Sequence, residues 1–177
     1  DELQGHSYIQ EHDITFHNHI DMVLKDPNVE AVIIATPHGL HEEMFLDSVK
    51  AGKQVFCEKP FALNSKAARK MIKEADSKGL RIGIGHERRF EGAFEEIKRI
   101  IDSGELGTLL HLEFNASYNN MVKAPAKGWR KDPSQTPAGM MTALGVHQTD
   151  FMQTLAGPVR SINAQLSHGS DDYPNED

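Results

Sequence analysis

Three short polar segments each close an apolar run in the first half of the chain: Thr36-Pro37-His38, Glu58-Lys59-Pro60 and Gly85-His86-Glu87-Arg88-Arg89-Phe90. Side chains of these types hold and move protons. A lysine amine accepts a proton once burial lowers its pKa, an imidazole exchanges one near neutral pH, and a carboxylate anchors hydroxyl groups. In open α/β sheets ligands bind outside the carboxyl ends of the strands, where all three segments are expected. Taken alone, a Glu-Lys-Pro tripeptide reads as a polar turn that stops a strand. The series is more specific. Thr-Pro and Glu-Lys-Pro stand about 20 residues apart, which suits a short strand–helix–strand unit. Further along, His147 precedes Asp150 by three positions, and Trp129-Arg130 sits in a long polar stretch. The ten histidines include a cluster at His12, His17 and His19 and a pair at His38 and His41. None has the cysteine or carboxylate spacing of a zinc site, so no metal is expected. Cys57 lies in a strand beside Phe56 and reads as core rather than nucleophile.

The elements that must position these groups alternate in type. Residues 29–35 form a nearly unbroken β-branched run, the pattern of a parallel strand covered on both faces. Pro37 turns the chain out, and a helix is expected over 40–51, closed by Gly52. Residues 54–57 form a second strand ended by Pro60. Asn64 or Ser65 caps the next helix, on which Ala67, Ala68, Met71, Ile72 and Ala75 share a face that ends at Gly79. Residues 80–85 give a third strand. Phe90, Ala93, Phe94, Ile97, Ile100 and Ile101 then make a helical stripe. Repeated strand–helix order implies parallel pairing through right-handed crossovers.

Beyond His86 the grammar changes. Residues 110–118 alternate strictly between apolar and polar, and 159–166 do so again, the signature of an antiparallel sheet wet on one face. The stretch 119–137 is a long loop of the kind that carries function, and the acidic tail 171–177 reads as frayed. The expected architecture is α/β: a partial Rossmann-like parallel sheet over 1–86, then part of an α/β domain with an open, mainly antiparallel sheet over 87–177. Two strands alone make no stable sheet, so the chain reads as a piece of a longer protein.

Composition narrows the class of function. Nineteen Lys and Arg against 26 Asp and Glu give a net charge of −7, the wrong sign for binding nucleic acid or a membrane surface. No run approaches the roughly 20 apolar residues that span a bilayer. The first residues lack the basic start and apolar core of a secretion signal, and one cysteine forms no internal disulfide. A cytoplasmic protein is expected.

The run 26–37 with His41, Ala51-Gly52-Lys53 and Cys57-Glu58-Lys59-Pro60 resembles the glucose–fructose oxidoreductase/inositol dehydrogenase (Gfo/Idh/MocA) family. Arg89-Phe90, the segment 103–107 and Gly145-Val146-His147 with Asp150 continue the resemblance in order. It implies an oxidoreductase using NAD or NADP, with a sugar, polyol or cyclitol substrate and a homo-oligomeric assembly. On the matching positions it implies a catalytic Lys59 and His147. It further implies a cofactor wall of Thr36, Pro37, His38, His41, Glu58, Lys59 and Pro60, and substrate contacts from Lys59 and His147. Trp129 and Arg130, in the long loop, read equally as a pair that closes over substrate or as a surface loop anchored by one aromatic. Three departures stand out. No G-x-G-x-x-G occurs, so the phosphate-cradling turn of such proteins is missing from these residues. The family often has Asp four positions before the second-domain His, where this chain has Ala143. Position 87 is Glu where the family frequently has Asn. With Ala143 unable to support the imidazole, Lys59 becomes the stronger proton acceptor, provided burial lowers its pKa. The alternatives are a non-catalytic nucleotide- or sugar-binding or scaffold homologue, and a lyase or hydrolase that cycles bound NAD.

Overall fold

The structure is a computed structural model that describes residues 9, 11–12, 14–116 and 128–167. Helix α1 (Ile20–Lys25) leads into strand β1 (Ala31–Ile34). Pro37 ends the strand, and a 3₁₀ turn (His38–Leu40) runs directly into α2 (His41–Lys50). Strand β2 (Gln54–Cys57), α3 (Ser65–Ser77) and β3 (Ile82–Ile84) complete a three-stranded sheet of order β1-β2-β3. Both pairings are parallel, in the register Ile34↔Cys57 and Cys57↔Ile84. The expected strand and helix sequence of the first half is therefore present, with shorter ends.

Register decides which residues form the core. Side chains alternate across a strand, so Val32, Ile34, Val55, Cys57 and Ile82 share the face beneath α2 and α3. There they meet Phe45, Val49, Phe61, Met71 and Ala75, and the Phe45 and Phe61 rings pack edge to face at 5.2 Å. Each fully buried large side chain here stabilises by about 1.5–3 kcal/mol. The start of α3 is fixed locally: Asn64 Oδ1 accepts the Ala67 N–H at 2.9 Å.

The opposite face differs from expectation. Ile33 is 74% exposed and Phe56 43%, so the sheet is covered on one side rather than two. An unbroken apolar run reports the environment a strand tolerates, and the described residues supply one layer of helices, on the Val55 and Cys57 face.

After β3 a second 3₁₀ turn (Glu87–Phe90) precedes α4 (Gly92–Asp102). Phe90 belongs to that turn and is 77% exposed, not part of the buried stripe expected of it, because α4 begins two residues later. Phe94 is buried and stacks on Phe151 with centroids 4.2 Å apart. Phe151 belongs to α5 (Val146–Ala156), which continues from a π-helical turn (Met141–Gly145). A short 3₁₀ turn (Trp129–Lys131) precedes both.

The two alternating segments form no strand among the described residues, 110–116 and 159–167. Leu110 is 90% exposed and Ile162 84%. Alternation marks a preferred inward face, but a ladder needs a neighbouring strand, and none pairs with these segments. Positions 117, 118 and 171–177, and most of the long loop, lie outside the described residues.

Candidate active site

The carboxyl ends of β1, β2 and β3 bring Thr36, Glu58 and Gly85 to one edge of the sheet. His41 ties that edge together. Its Nδ1 lies 2.9 Å from the Pro60 carbonyl oxygen and its Nε2 2.9 Å from that of Thr36. The side chain is fully buried. It was expected on the cofactor wall, yet both nitrogens are engaged by backbone, so it braces the edge and offers no atom to a ligand. Pro60, also buried, contributes its carbonyl to the same brace, and the Lys59–Pro60 bond is cis.

Glu58 lies across bare backbone. A Cβ at Gly85 would come within 2.9 Å of the Glu58 carboxyl carbon and both its oxygens, so any larger residue would displace the carboxylate from this position. One of those oxygens accepts the Lys59 N–H at 3.2 Å. Thr36 Oγ1 and His38 Nδ1 are buried at the same edge without hydrogen-bond partners. A hydroxyl, a carboxylate and open backbone at one strand end fit the polar nicotinamide–ribose end of a dinucleotide. No glycine-rich turn for the pyrophosphate occurs in the 177 residues.

Lys59 leaves the end of β2 and crosses to the second half of the chain. Its Nζ donates to the Ala143 carbonyl at 2.9 Å. Ala143 lies within the π turn, whose wider spacing takes carbonyls out of the ordinary i→i+4 ladder. Burial lowers the pKa of Lys59, opposed by Glu87 and Glu58 and assisted by Arg88 and Arg130. Lys59 is half-buried, and its amine gives up its proton more readily than that of an exposed lysine.

His147, one turn beyond Ala143, is 2% exposed. Burial lowers its pKa, as do the charges of Lys59, Arg88 and His86, against an opposing pull from Glu87. The His86 and His147 rings stand perpendicular at 6.0 Å. Asp150 accepts from Arg89 Nε at 2.7 Å and from Nη2, and its second neighbour, His86 Nδ1, is 3.6 Å away. Burial alone would raise the Asp150 pKa, but the Arg89 hydrogen bonds and the His86 charge outweigh it and hold the carboxyl low.

The segment before the π turn closes over His38. Trp129 meets the His38 ring edge to face at 4.5 Å, and the Arg130 guanidinium lies 4.4 Å from the Trp129 ring centroid. Gln135 Oε1 accepts the Gly39 N–H at 3.1 Å, in space that a Cβ at residue 39 would occupy. His38 is buried against His41 and these cations, and its pKa falls to about 4. Cys57 is fully buried, and burial followed by the Glu58 charge pushes its thiol up to about 12, as suits a core residue. No cluster of three metal-ligating side chains occurs among the described residues.

Lys59, His147, His38, Trp129 and Arg130 therefore cluster beside the sheet edge that carries Thr36, Pro37 and Glu58. Sequence reasoning gave no role to Glu87, His86, Arg88 or Gln135. The segment 85–90 stood out as a strand end, but the residues of α5 that face it come from tertiary packing.

Comparison with known proteins gives the family. The pattern described as oxidoreductase family, NAD-binding Rossmann fold (GFO_IDH_MocA) matches residues 4–86. The GFO/IDH/MocA C-terminal domain matches residues 94–177. The chain belongs to the GFO/IDH/MocA oxidoreductase family. From Bacillus subtilis, scyllo-inositol 2-dehydrogenase (NAD(+)) is 33% identical over 157 residues, covering 83% of this chain and 40% of that protein. The same organism's scyllo-inositol 2-dehydrogenase (NADP(+)) IolW is 31% identical over 147 residues, covering 83% of this chain and 40% of the relative. The crystal structure of GenD2 from gentamicin A biosynthesis in complex with NAD superposes with a TM-score of 0.84. It is 22% identical and covers 100% of this chain and 50% of its own, so it speaks for the fold of the GFO/IDH/MocA chain alone. This family member spans about 40% of the length of the curated relatives it matches.

Proposed function

We propose that the protein carrying this chain transfers a hydride between a nicotinamide dinucleotide, NAD or NADP, and a secondary alcohol of a sugar, polyol or cyclitol. When bound, the nicotinamide supplies the hydride acceptor. Thr36, Pro37, His38 and Glu58 would hold its nicotinamide–ribose end, while Trp129 and Arg130 close over the substrate. Lys59 takes the hydroxyl proton at Nζ as the carbinol C–H bond breaks and the C=O bond forms. In the reverse direction it returns that proton. His147 hydrogen-bonds the same oxygen or passes the proton on. Residues 1–86 and 87–177 act as the cofactor and substrate units, in a cytoplasmic homo-oligomer.

The observation that carries this reading is the half-buried Lys59 amine, held at the end of a parallel strand against the turn that leads into His147, with its pKa lowered by burial. The test is Lys59→Ala in the intact protein, assayed with both dinucleotides against a panel of inositols and sugars. Turnover should fall by about 10²–10⁴-fold, with dinucleotide binding retained. Full turnover in the variant would remove Lys59 from the reaction. Ala143, which leaves His147 without a carboxylate one turn away, favours a second reading as a non-catalytic nucleotide- or sugar-binding protein. Reduced-nicotinamide absorbance separates the two. Net accumulation indicates a dehydrogenase, and silence with demonstrable ligand binding indicates the second reading. A transient signal would point to a lyase or hydrolase cycling bound NAD.

A further inference from the structure

An imidazole that exchanges protons works best with a carboxylate beside it, which orients the ring and balances its charge. The acids around His147 are quickly accounted for. Asp150, on the same helix, has both oxygens engaged by Arg89. Glu58 lies against the Lys59 N–H and the Gly85 backbone. One helical turn before His147 stands Ala143, whose carbonyl is taken by Lys59. Glu87 remains. It sits in the 3₁₀ turn after β3, and its Oε1 lies 3.9 Å from His147 Nε2.

We propose that Glu87 is the charge partner of His147, a positioning residue supplied to the ring nitrogen Nε2 from the turn after β3. At 3.9 Å the contact is an ion-pair distance rather than a hydrogen bond, and closure by about 1 Å would make it one. The same carboxylate acts on Lys59, so one exposed acid biases both proton-handling groups. The groups facing His147 are otherwise cationic or imidazole: Lys59, Arg88 and His86, with Asp150 already paired. In that company Glu87 favours the protonated ring, adding to the charge of the Arg89-paired Asp150. The catalytic importance of the pairing rests on the reading of His147 given above, whereas the pairing itself does not.

The test is a pH titration of ring-labelled histidine by NMR in the intact protein, with the His147 signal assigned through His147→Gln. Glu87 has a side chain 63% exposed, so Glu87→Gln is expected to fold normally. Its His147 midpoint should drop by about half to one pH unit, and Glu87→Asp should recover part of that drop. A midpoint unchanged in Glu87→Gln overturns the pairing. Because this readout needs no turnover, it stands apart from the Lys59→Ala result, which judges the hydride-transfer reading. For the positioning role, kcat in Glu87→Gln should fall about tenfold with the dinucleotide KM within about twofold of wild type. An unchanged kcat overturns that role.

Discussion

His38 is neutral in the folded chain because its ring is enclosed by Trp129 and His41, with cationic Lys59 and Arg130 close by. Its pKa falls from 6.5 to about 4, with burial as the leading cause. The sign of the linkage follows. A group whose folded pKa is depressed contributes fully above its unfolded value, and that contribution is lost as the pH falls through the folded value. His38 therefore stabilises the fold above pH 6.5 and withdraws that support between 6.5 and about 4. A shift of this size corresponds to at most about 3 kcal/mol. Urea denaturation across that window should show the loss, and His38→Phe should flatten it. An equally steep curve in the variant would assign the effect elsewhere. His147 titrates in the same sense, so the two histidines together make mild acid a destabilising condition.

The elements matter because they deliver these residues to one place. His41 opens α2, yet its role belongs to the strand ends, since its ring lies between the Thr36 and Pro60 carbonyls. His41→Leu fills the space but removes the ring N–H that one of these carbonyls accepts. It should cost about 1–3 kcal/mol in thermal or urea unfolding, the cost of one buried unsatisfied group. Asn64→Ala should cost about 1 kcal/mol through loss of the α3 cap, without touching the site. The strands and helices of the first half were legible because β-branched runs, breakers and a capping Asn encode them locally. The segments 110–116 and 159–166 were misread because alternation encodes only a preferred face, while a strand depends on what lies beside it. The site divides along the same line. Strand-end residues such as Thr36, Glu58 and Lys59 could be read from position, since a parallel strand fixes where its end points. Glu87 and Gln135 could not, because their significance arises from what faces them in the folded chain.

At the scale of the molecule, specific contacts among the described residues tie the first half of the chain to the second: Lys59 reaches Ala143, Gly39 meets Gln135 and His38 meets Trp129. Within the second half, Arg89 pairs with Asp150. The last is the best insulated on one side only: the Asp150 side chain is 9% exposed, but that of Arg89 is 46% exposed. Solvent screening of the guanidinium trims what a two-pronged charged pair would otherwise contribute. Asp150→Asn should therefore destabilise by about 1–2 kcal/mol at neutral pH. The folded carboxyl titrates below the usual aspartate range, so this contribution is present above about pH 4 and is lost as the pH falls through that depressed value. Wild type and Asp150→Asn should differ in urea midpoint at pH 7 and converge as the pH falls below the depressed aspartate pKa. A gap that persists in acid would mean that Asp150 acts through packing or neutral hydrogen bonds. Because Asp150 follows His147 by less than one turn of α5, loosening the pair should also reduce turnover in the intact protein, while Phe151 keeps the helix stacked on Phe94.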